Sequence, residues 1–283
     1  MQARNLIVLV TCQMISATAT ISLVTLGGII GMTLTSNKAF VTLPLSLMVV
    51  AVAATAIPAT MLMRRIGRRF GFVLAAVFAA IGMFIGVFAL IHSSFTLFCT
   101  AAMMLGANGA FTQQYRYAAA ESVAPEYVAR AISFVLLGPI GGAFLGKELA
   151  TRGQDWIEGI PYAGTMAALG VLFVLQAILL LALREPEVHE EHESRHSDRS
   201  LKEIIRQPVF FTAVFGGVVA YGIMTLIMTA TPLSMHVNEG YSLEDTSSVI
   251  RAHVLAMYVP SLFAGFLIER LGVTRLMMAG TAG

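Results

Sequence analysis

Residues 70–115 read FGFVLAAVFAAIGMFIGVFALIHSSFTLFCTAAMMLGANGAFTQQY and contain no Asp, Glu, Lys or Arg. A helix needs about 20 mainly apolar residues to cross the hydrocarbon core of a bilayer. This run is long enough for two such helices, and the polar residues His92, Ser93 and Ser94 mark the break between them. The run therefore predicts a membrane protein whose successive helices follow one another closely.

The rest of the chain continues this pattern, and its charge-free runs predict eight spans. Their ranges are 7–30, 40–63, 70–91, 95–118, 130–150, 160–183, 209–233 and 246–268. Of the 283 residues, 57% are hydrophobic and 12% are charged, whereas a soluble domain has about 25% charged residues. The mean hydropathy is +0.79. This composition excludes a soluble globular protein and predicts an all-α, polytopic membrane fold.

The positive charges predict the orientation of these spans. With the N-terminus inside, thirteen of the 18 Lys and Arg residues fall on the cytoplasmic side, and Lys38, Lys147 and Arg152 fall outside. Such an excess is typical of cytoplasmic loops. We therefore expect a multi-pass protein of the cytoplasmic (inner) membrane with its N-terminus inside.

The only long polar stretch, 184–206, predicts the domain organisation. It follows the sixth span, so we interpret it as a cytoplasmic linker between two groups of helices. The prediction is an N-terminal six-helix bundle at 1–183, the linker, and at 207–283 the start of a second bundle with two helices and part of a third.

Two loops repeat one another across these groups. The first, 60–69, reads TMLMRRIGRR, and the second, 265–275, reads GFLIERLGVTR, so that Arg65-Ile66-Gly67 aligns with Arg270-Leu271-Gly272. Each loop follows the second helix of its group and lies on the predicted cytoplasmic side. An internal repeat of this kind is typical of transporters that are built from two parallel halves.

These loops resemble the signature loop of the major facilitator superfamily, Gly-x-x-x-Asp-Arg-x-Gly-Arg-Arg/Lys. The second copy has Gly265, Glu269, Arg270 and Gly272, and the first keeps Arg65, Gly67, Arg68 and Arg69. The first copy departs from the family at Thr60, in place of Gly, and at Arg64, in place of Asp. The resemblance implies that both loops serve in gating and that Glu121 and Arg130 pair with them. Arg64 puts the family's usual charge relay in doubt for the first half.

The resemblance also implies a function. Family members move small solutes by alternating access and usually have about twelve helices, so we expect this chain to be the larger part of such a transporter. A stretch at 252–261 is similar to bacterial permeases of unassigned substrate. The alternative is a truncated, non-transporting membrane protein, such as a receptor-like or scaffold relic of a transporter. A second partial match, 138–142 (GPIGG), resembles an antiporter element, but a small-residue helix contact explains it as well.

Polar residues inside the spans are the candidates for a substrate cavity. They are Gln13, Thr20, Gln113, Arg116, Tyr117, Tyr221, Thr225 and His253. Polar groups are costly at this depth unless they face a cavity or each other. For Arg116 two interpretations are open, a cavity-facing substrate contact or a side chain that extends to the lipid headgroups. For His253 the alternatives are a proton carrier and a hydrogen-bonded packing residue.

No Asp or Glu precedes Glu121, so the first four spans contain no acidic proton site. If transport is coupled to protons, rather than to another ion or to none, we expect the carrier to be His253, Glu148 or a residue outside these 283. The linker histidines His189, His192 and His196 permit a metal site, but a solvated linker explains them equally well. We expect no metal, no cofactor, no enzymatic activity and no nucleic-acid partner. The expected partners are the lipid bilayer and a small-molecule substrate.

Overall fold

The computed structural model describes residues 2–124, 127–184, 203, 205–263, 267 and 270–282, and it contains helices and no strand over these residues. The helices are α1 (Gln2–Leu34), α2 (Leu43–Ile66), α3 (Arg68–Ile91), α4 (Phe95–Thr112), α5 (Tyr115–Glu121), α6 (Val128–Val135), α7 (Leu137–Arg152), α8 (Ala163–Leu181), α9 (Pro208–Pro232), α10 (Leu243–Ser261) and α11 (Val273–Ala282). A π-helical turn, Leu233–Asn238, continues α9. The predicted all-α class is confirmed.

Within the described residues, seven helical stretches are long and apolar enough to cross a membrane. They correspond to the first seven predicted spans. The fourth is made of α4 and α5, with a break at Gln113 and Gln114, and the fifth is made of α6 and α7. The eighth predicted span, 246–268, overlaps α10, which begins earlier, at Leu243. This helix is not among the seven because Glu244, Asp245 and Arg251 make it more polar.

The first six spans pack into a bundle around α1, which contacts α2, α4, α7 and α8, while α3 lies between α4 and α8. Small residues allow the closest approaches. A Cβ on Gly106 of α4 would collide with the backbone carbonyl of Met48 in α2. Along α7, a Cβ on Gly138 would lie 2.7 Å from the Gln13 Cβ of α1, and Gly142 and Gly146 continue this contact. The GPIGG segment is therefore a helix contact surface, as expected of small residues in membrane helices.

The aligned glycines of the two signature-like loops share a positive φ. Gly67 joins α2 to α3 with φ +82°, and Gly272 precedes α11 with φ +78°. Glycine adopts such a φ without strain, whereas other residues rarely do. This need explains why the sequence repeat has Gly at both positions. Gly265 and Glu269, from the second loop, lie outside the described residues.

The described helices of the second group contact the first bundle mainly through α10. Ile250 and Val254 of α10 form a small apolar cluster with Ile21 of α1 and Ala143 of α7. Near this cluster, Lys147 Nζ of α7 lies 3.1 Å from a carboxylate oxygen of Glu244. These contacts join the two predicted halves on one side of a cavity. The division of the chain at 184–206 stays a prediction, because most of that linker lies outside the described residues.

Candidate functional site

A cavity of about 380 Å³ lies where the first bundle meets α9 and α10. Helices α1, α2, α4 and α5 form one wall, and α9 and α10 form the other. Its volume is within the range of small-molecule sites in proteins. The residues that line it with polar side chains are Gln13, Ser16, Thr20, Asn108, Thr112, Gln113, Arg116, Tyr221, Thr225, Thr229 and Tyr258.

Helical spacing explains why these side chains converge. Gln13, Ser16 and Thr20 recur on α1 at intervals of three and four residues, so they share one face. Tyr221, Thr225 and Thr229 do the same on α9, at intervals of four residues. The two stripes therefore face the cavity from opposite walls.

Methionines supply much of the apolar lining, with Met48 on α2, Met224 and Met228 on α9, and Met257 on α10. Methionine side chains are flexible and polarisable, and they make favourable contacts with aromatic rings. Together with Tyr221 and Tyr258, they suit a flat, partly apolar ligand whose polar edges reach the amides and hydroxyls.

Arg116 is the only charged residue among the described residues that line the cavity. Its guanidinium carbon lies 5.2 Å from the centre of the Tyr117 ring. No carboxylate lines the described part of the cavity. Its lining position supports the cavity interpretation of Arg116.

Six of the eight predicted cavity residues line the cavity: Gln13, Thr20, Gln113, Arg116, Tyr221 and Thr225. Tyr117 does not line it, and this residue is 48% exposed. His253 does not line it either. Its Nε2 is buried, and no described residue is its hydrogen-bond partner. The functional roles of all eight residues stay predictions.

A chain of buried polar contacts runs from the cavity wall into the bundle, and it was not predicted from the sequence. Asn108 Nδ2 donates to Thr112 Oγ1 at 3.3 Å, Thr112 Oγ1 lies 3.3 Å from Ser16 Oγ, and Ser16 Oγ donates to Gln176 Oε1 at 3.1 Å. Gln176 Nε2 then donates to the Tyr115 hydroxyl at 3.0 Å. The signal that could have found it is an amide, Asn108 or Gln176, in the middle of an otherwise apolar span.

The first signature-like loop forms an ion pair with the end of α5. Arg68 Nη2 lies 2.6 Å from Glu121 Oε1, as the family resemblance implied. The side chain of Asn5, at the start of α1, donates to the neighbouring Ser122 Oγ and to the backbone carbonyl of Arg184. The N-terminus, the loop and the start of the linker therefore meet at one end of the bundle.

The other predicted gating residues that the structure describes lie in different surroundings. Arg130 does not pair with the loop among the described residues, and its guanidinium instead lies 5.9 Å from the centre of the Tyr127 ring. Arg64 and Arg65 are exposed, and Arg69 is half-buried. In the second loop, Arg270 and Gly272 are both exposed.

The candidates for coupling and for metal binding can also be placed. Glu148 forms an ion pair with Arg152 at 2.8 Å, one helical turn away, rather than with the adjacent Lys147. The described residues contain no group of three potential metal ligands. His189, His192 and His196 lie outside them.

Comparison with known families gives one family match over almost the whole chain. The family described as Major Facilitator Superfamily matches residues 6–283. The riboflavin transporter RfnT of Brucella anthropi is 36% identical over 278 residues, which cover 98% of this chain and 70% of that protein.

Two further relatives come from Bacillus subtilis. The uncharacterised MFS-type transporter YddS is 26% identical and YdeG is 28% identical, and these matches cover 92% and 98% of this chain. They cover 62% and 67% of those two proteins, so the chain spans about two thirds of the length of its curated relatives. No solved structure matches the chain.

Proposed function

This chain belongs to the major facilitator superfamily, and we propose that it carries the substrate cavity of a secondary transporter that works by alternating access. The observation that carries this proposal is the cavity between the two predicted halves, with polar stripes on both walls. A site at the interface of two repeats can be exposed to either side of the membrane when one half rocks against the other.

The two ion pairs fit this mechanism. Arg68–Glu121 lies within the first half, at the end of the bundle that holds the N-terminus. Lys147–Glu244 instead joins the first half to α10. Rocking of the halves would therefore break the second pair and leave the first intact. Glu121 and the first loop then hold the shape of one half, while Glu244 acts at the contact between the halves.

For the substrate, we propose a riboflavin-like solute, that is, a planar heteroaromatic with polar substituents. The support is the 36% identity to a riboflavin transporter together with the methionines, tyrosines and amides of the cavity. An isoalloxazine ring has a flat apolar end and an imide edge, and a ribityl chain offers hydroxyls to Gln13, Thr20 or Gln113. The lone cation Arg116 is compatible with a neutral or anionic ligand.

Uptake of riboflavin by the full-length protein in proteoliposomes tests this function. We expect saturable uptake that unlabelled riboflavin competes away, and a large loss in Thr225→Trp, which fills the cavity from α9. Thr212→Trp is the matched control, because Thr212 is exposed on the same helix and does not line the cavity. Binding of riboflavin without uptake would favour the non-transporting alternative, and absence of both would reject the flavin.

The same vesicles test the coupling. The first four predicted spans, which end at residue 118, contain no carboxylate, so we propose that none of them carries a proton. Uptake with and without a protonophore, in the wild type and in His253→Gln and Glu148→Gln, separates the two named carriers. An uptake rate that depends neither on the protonophore nor on pH would show facilitated diffusion or another coupling ion.

The proposed orientation places the N-terminus and the linker inside. Single cysteines at positions 192 and 38, in a background without Cys12 and Cys99, test it with a membrane-impermeant maleimide on intact cells. Position 38 should react and position 192 should not. The reverse labelling pattern would invert the topology.

A further inference from the structure

We propose that Asn108 selects the transported solute by accepting a hydrogen bond from one of its N–H groups. This inference rests on the proposed function, because it assigns a role within the same cavity. The solute class that follows is one with an imide or lactam N–H at the edge of a planar ring.

The first observation is an unused acceptor in the cavity wall. Asn108 lines the cavity, and its side chain is 2% exposed. Its Oδ1 is buried and has no hydrogen-bond partner among the described residues. A buried polar atom without a partner costs about 1–3 kcal/mol. Such a cost is common where a ligand supplies the missing bond.

The second observation is that the rest of the side chain is anchored. Asn108 Nδ2 donates to Thr112 Oγ1 at 3.3 Å, one helical turn along α4. The Thr112 hydroxyl lies 3.1 Å from the Asn108 backbone carbonyl and donates to it, so its oxygen is left to accept from the amide. This arrangement assigns the nitrogen to Thr112 and leaves the oxygen as the free atom.

The third observation is the support behind this pair. Ser16 lies 3.3 Å from Thr112 and is itself held by Gln176, which is fully buried and bonded to Tyr115. With both hydroxyl hydrogens used elsewhere, Ser16 and Thr112 are in contact without a hydrogen bond, and packing of α1 against α4 keeps Thr112, and with it the Asn108 amide, in place. A preorganised acceptor of this kind binds at little entropic cost.

The chemistry of the free atom defines the ligand group. A carboxamide oxygen accepts a hydrogen bond but cannot donate one, so its partner must carry an N–H or O–H. Because the hydroxyls of the proposed solute are matched with Gln13, Thr20 or Gln113, the ring N–H is the donor left for Asn108. A site built around such a bond rejects an analogue that lacks the donor, because the buried acceptor then stays unpaired. In a flavin, the imide N3–H is the donor on the ring edge.

Binding of riboflavin and of 3-methylriboflavin to the full-length protein, measured by quenching of flavin fluorescence, tests the inference. The wild type should prefer riboflavin by about 10- to 100-fold. In Asn108→Leu this preference should vanish, because riboflavin loses its acceptor while the methylated flavin does not. Asn108→Asp keeps an oxygen at the same position and should retain the preference.

Gln113→Leu is the matched control, because it removes another cavity amide and should weaken both flavins without changing their ratio. An unchanged ratio in Asn108→Leu would overturn the role of Asn108 and leave the flavin assignment intact. Equal binding of both flavins by the wild type would also overturn the role of Asn108 while leaving the flavin assignment intact. If the wild type binds neither flavin, the proposed substrate fails, and the inference fails with it.

Discussion

Helices α4 and α9 line the same cavity from opposite walls, yet their surroundings differ sharply. Helix α4 buries eleven of its 18 residues against α2 and α3, whereas α9 buries only Pro232 among its 25 residues. Both helices are apolar enough to span a membrane. Hydropathy alone therefore does not show how much of a membrane helix is buried against the other described helices.

Small residues make the difference. Lipid chains are as apolar as leucine, so helices in a bilayer associate through close packing and hydrogen bonds rather than through the hydrophobic effect. Gly106 of α4 faces the carbonyl of Met48, while Gly216, Gly217 and Gly222 of α9 have no atom within 4 Å of the position of a Cβ. Among the described residues, glycine is thus a packing requirement at Gly106 of α4, whereas no described atom lies close to the three glycines of α9.

The largest effect on stability is expected from adding a methyl group at Gly106, compared with the same change at Gly217. Gly106→Ala forces α4 away from the Met48 carbonyl and should destabilise the protein by about 1–3 kcal/mol. Gly217→Ala meets open space and should change stability by less than about 0.5 kcal/mol. Thermal unfolding in detergent, followed by far-UV circular dichroism, compares the two. Equal loss of stability would show that α9 packs against a partner as tightly as α4 does.

A smaller effect is expected from the buried hydrogen-bond chain. Gln176→Leu leaves Ser16 and Tyr115 without their amide partner and should cost about 1–3 kcal/mol, towards the lower end because leucine fills the space well. Thr225→Val, on α9, removes only a bond to the carbonyl of its own helix, at Tyr221, and should be nearly neutral. The same unfolding assay measures the stability of both variants. A Gln176→Leu protein as stable as the wild type would mean that these hydrogen bonds are energetically unimportant.

The smallest effect is expected from the two ion pairs. Surface pairs contribute about 0–1 kcal/mol, and Glu121 and Glu244 have 51% and 73% of their side chains exposed. Glu121→Gln should lower stability slightly and leave the distance between the halves unchanged. Glu244→Gln should instead lengthen spin-label distances between α7 and α10, because it loosens the contact between the halves. The reverse assignment of these two outcomes would contradict the proposed roles.

The sequence alone predicted most of the architecture. Charge-free runs located seven stretches that the structure confirms as helices able to span a membrane, because the bilayer imposes one length and one composition on such helices. Arg65-Ile66-Gly67 and Arg270-Leu271-Gly272 predicted the repeat, and the positive φ of both glycines explains why Gly recurs there. Six of the predicted polar residues line the cavity: Gln13, Thr20, Tyr221 and Thr225 lie on α1 and α9, and Gln113 and Arg116 lie where α4 meets α5.

What only the tertiary structure decided is which polar groups meet. The sequence could not place His253 or Tyr117 relative to the cavity, because the rotation of a helix about its axis depends on its neighbours. It also could not connect Asn108, Ser16 and Gln176, which lie on three different helices. The length and composition of a membrane span can be read directly from its own residues. The partner of each buried amide depends on contacts between residues far apart in the chain, and those contacts exist only after the helices have packed.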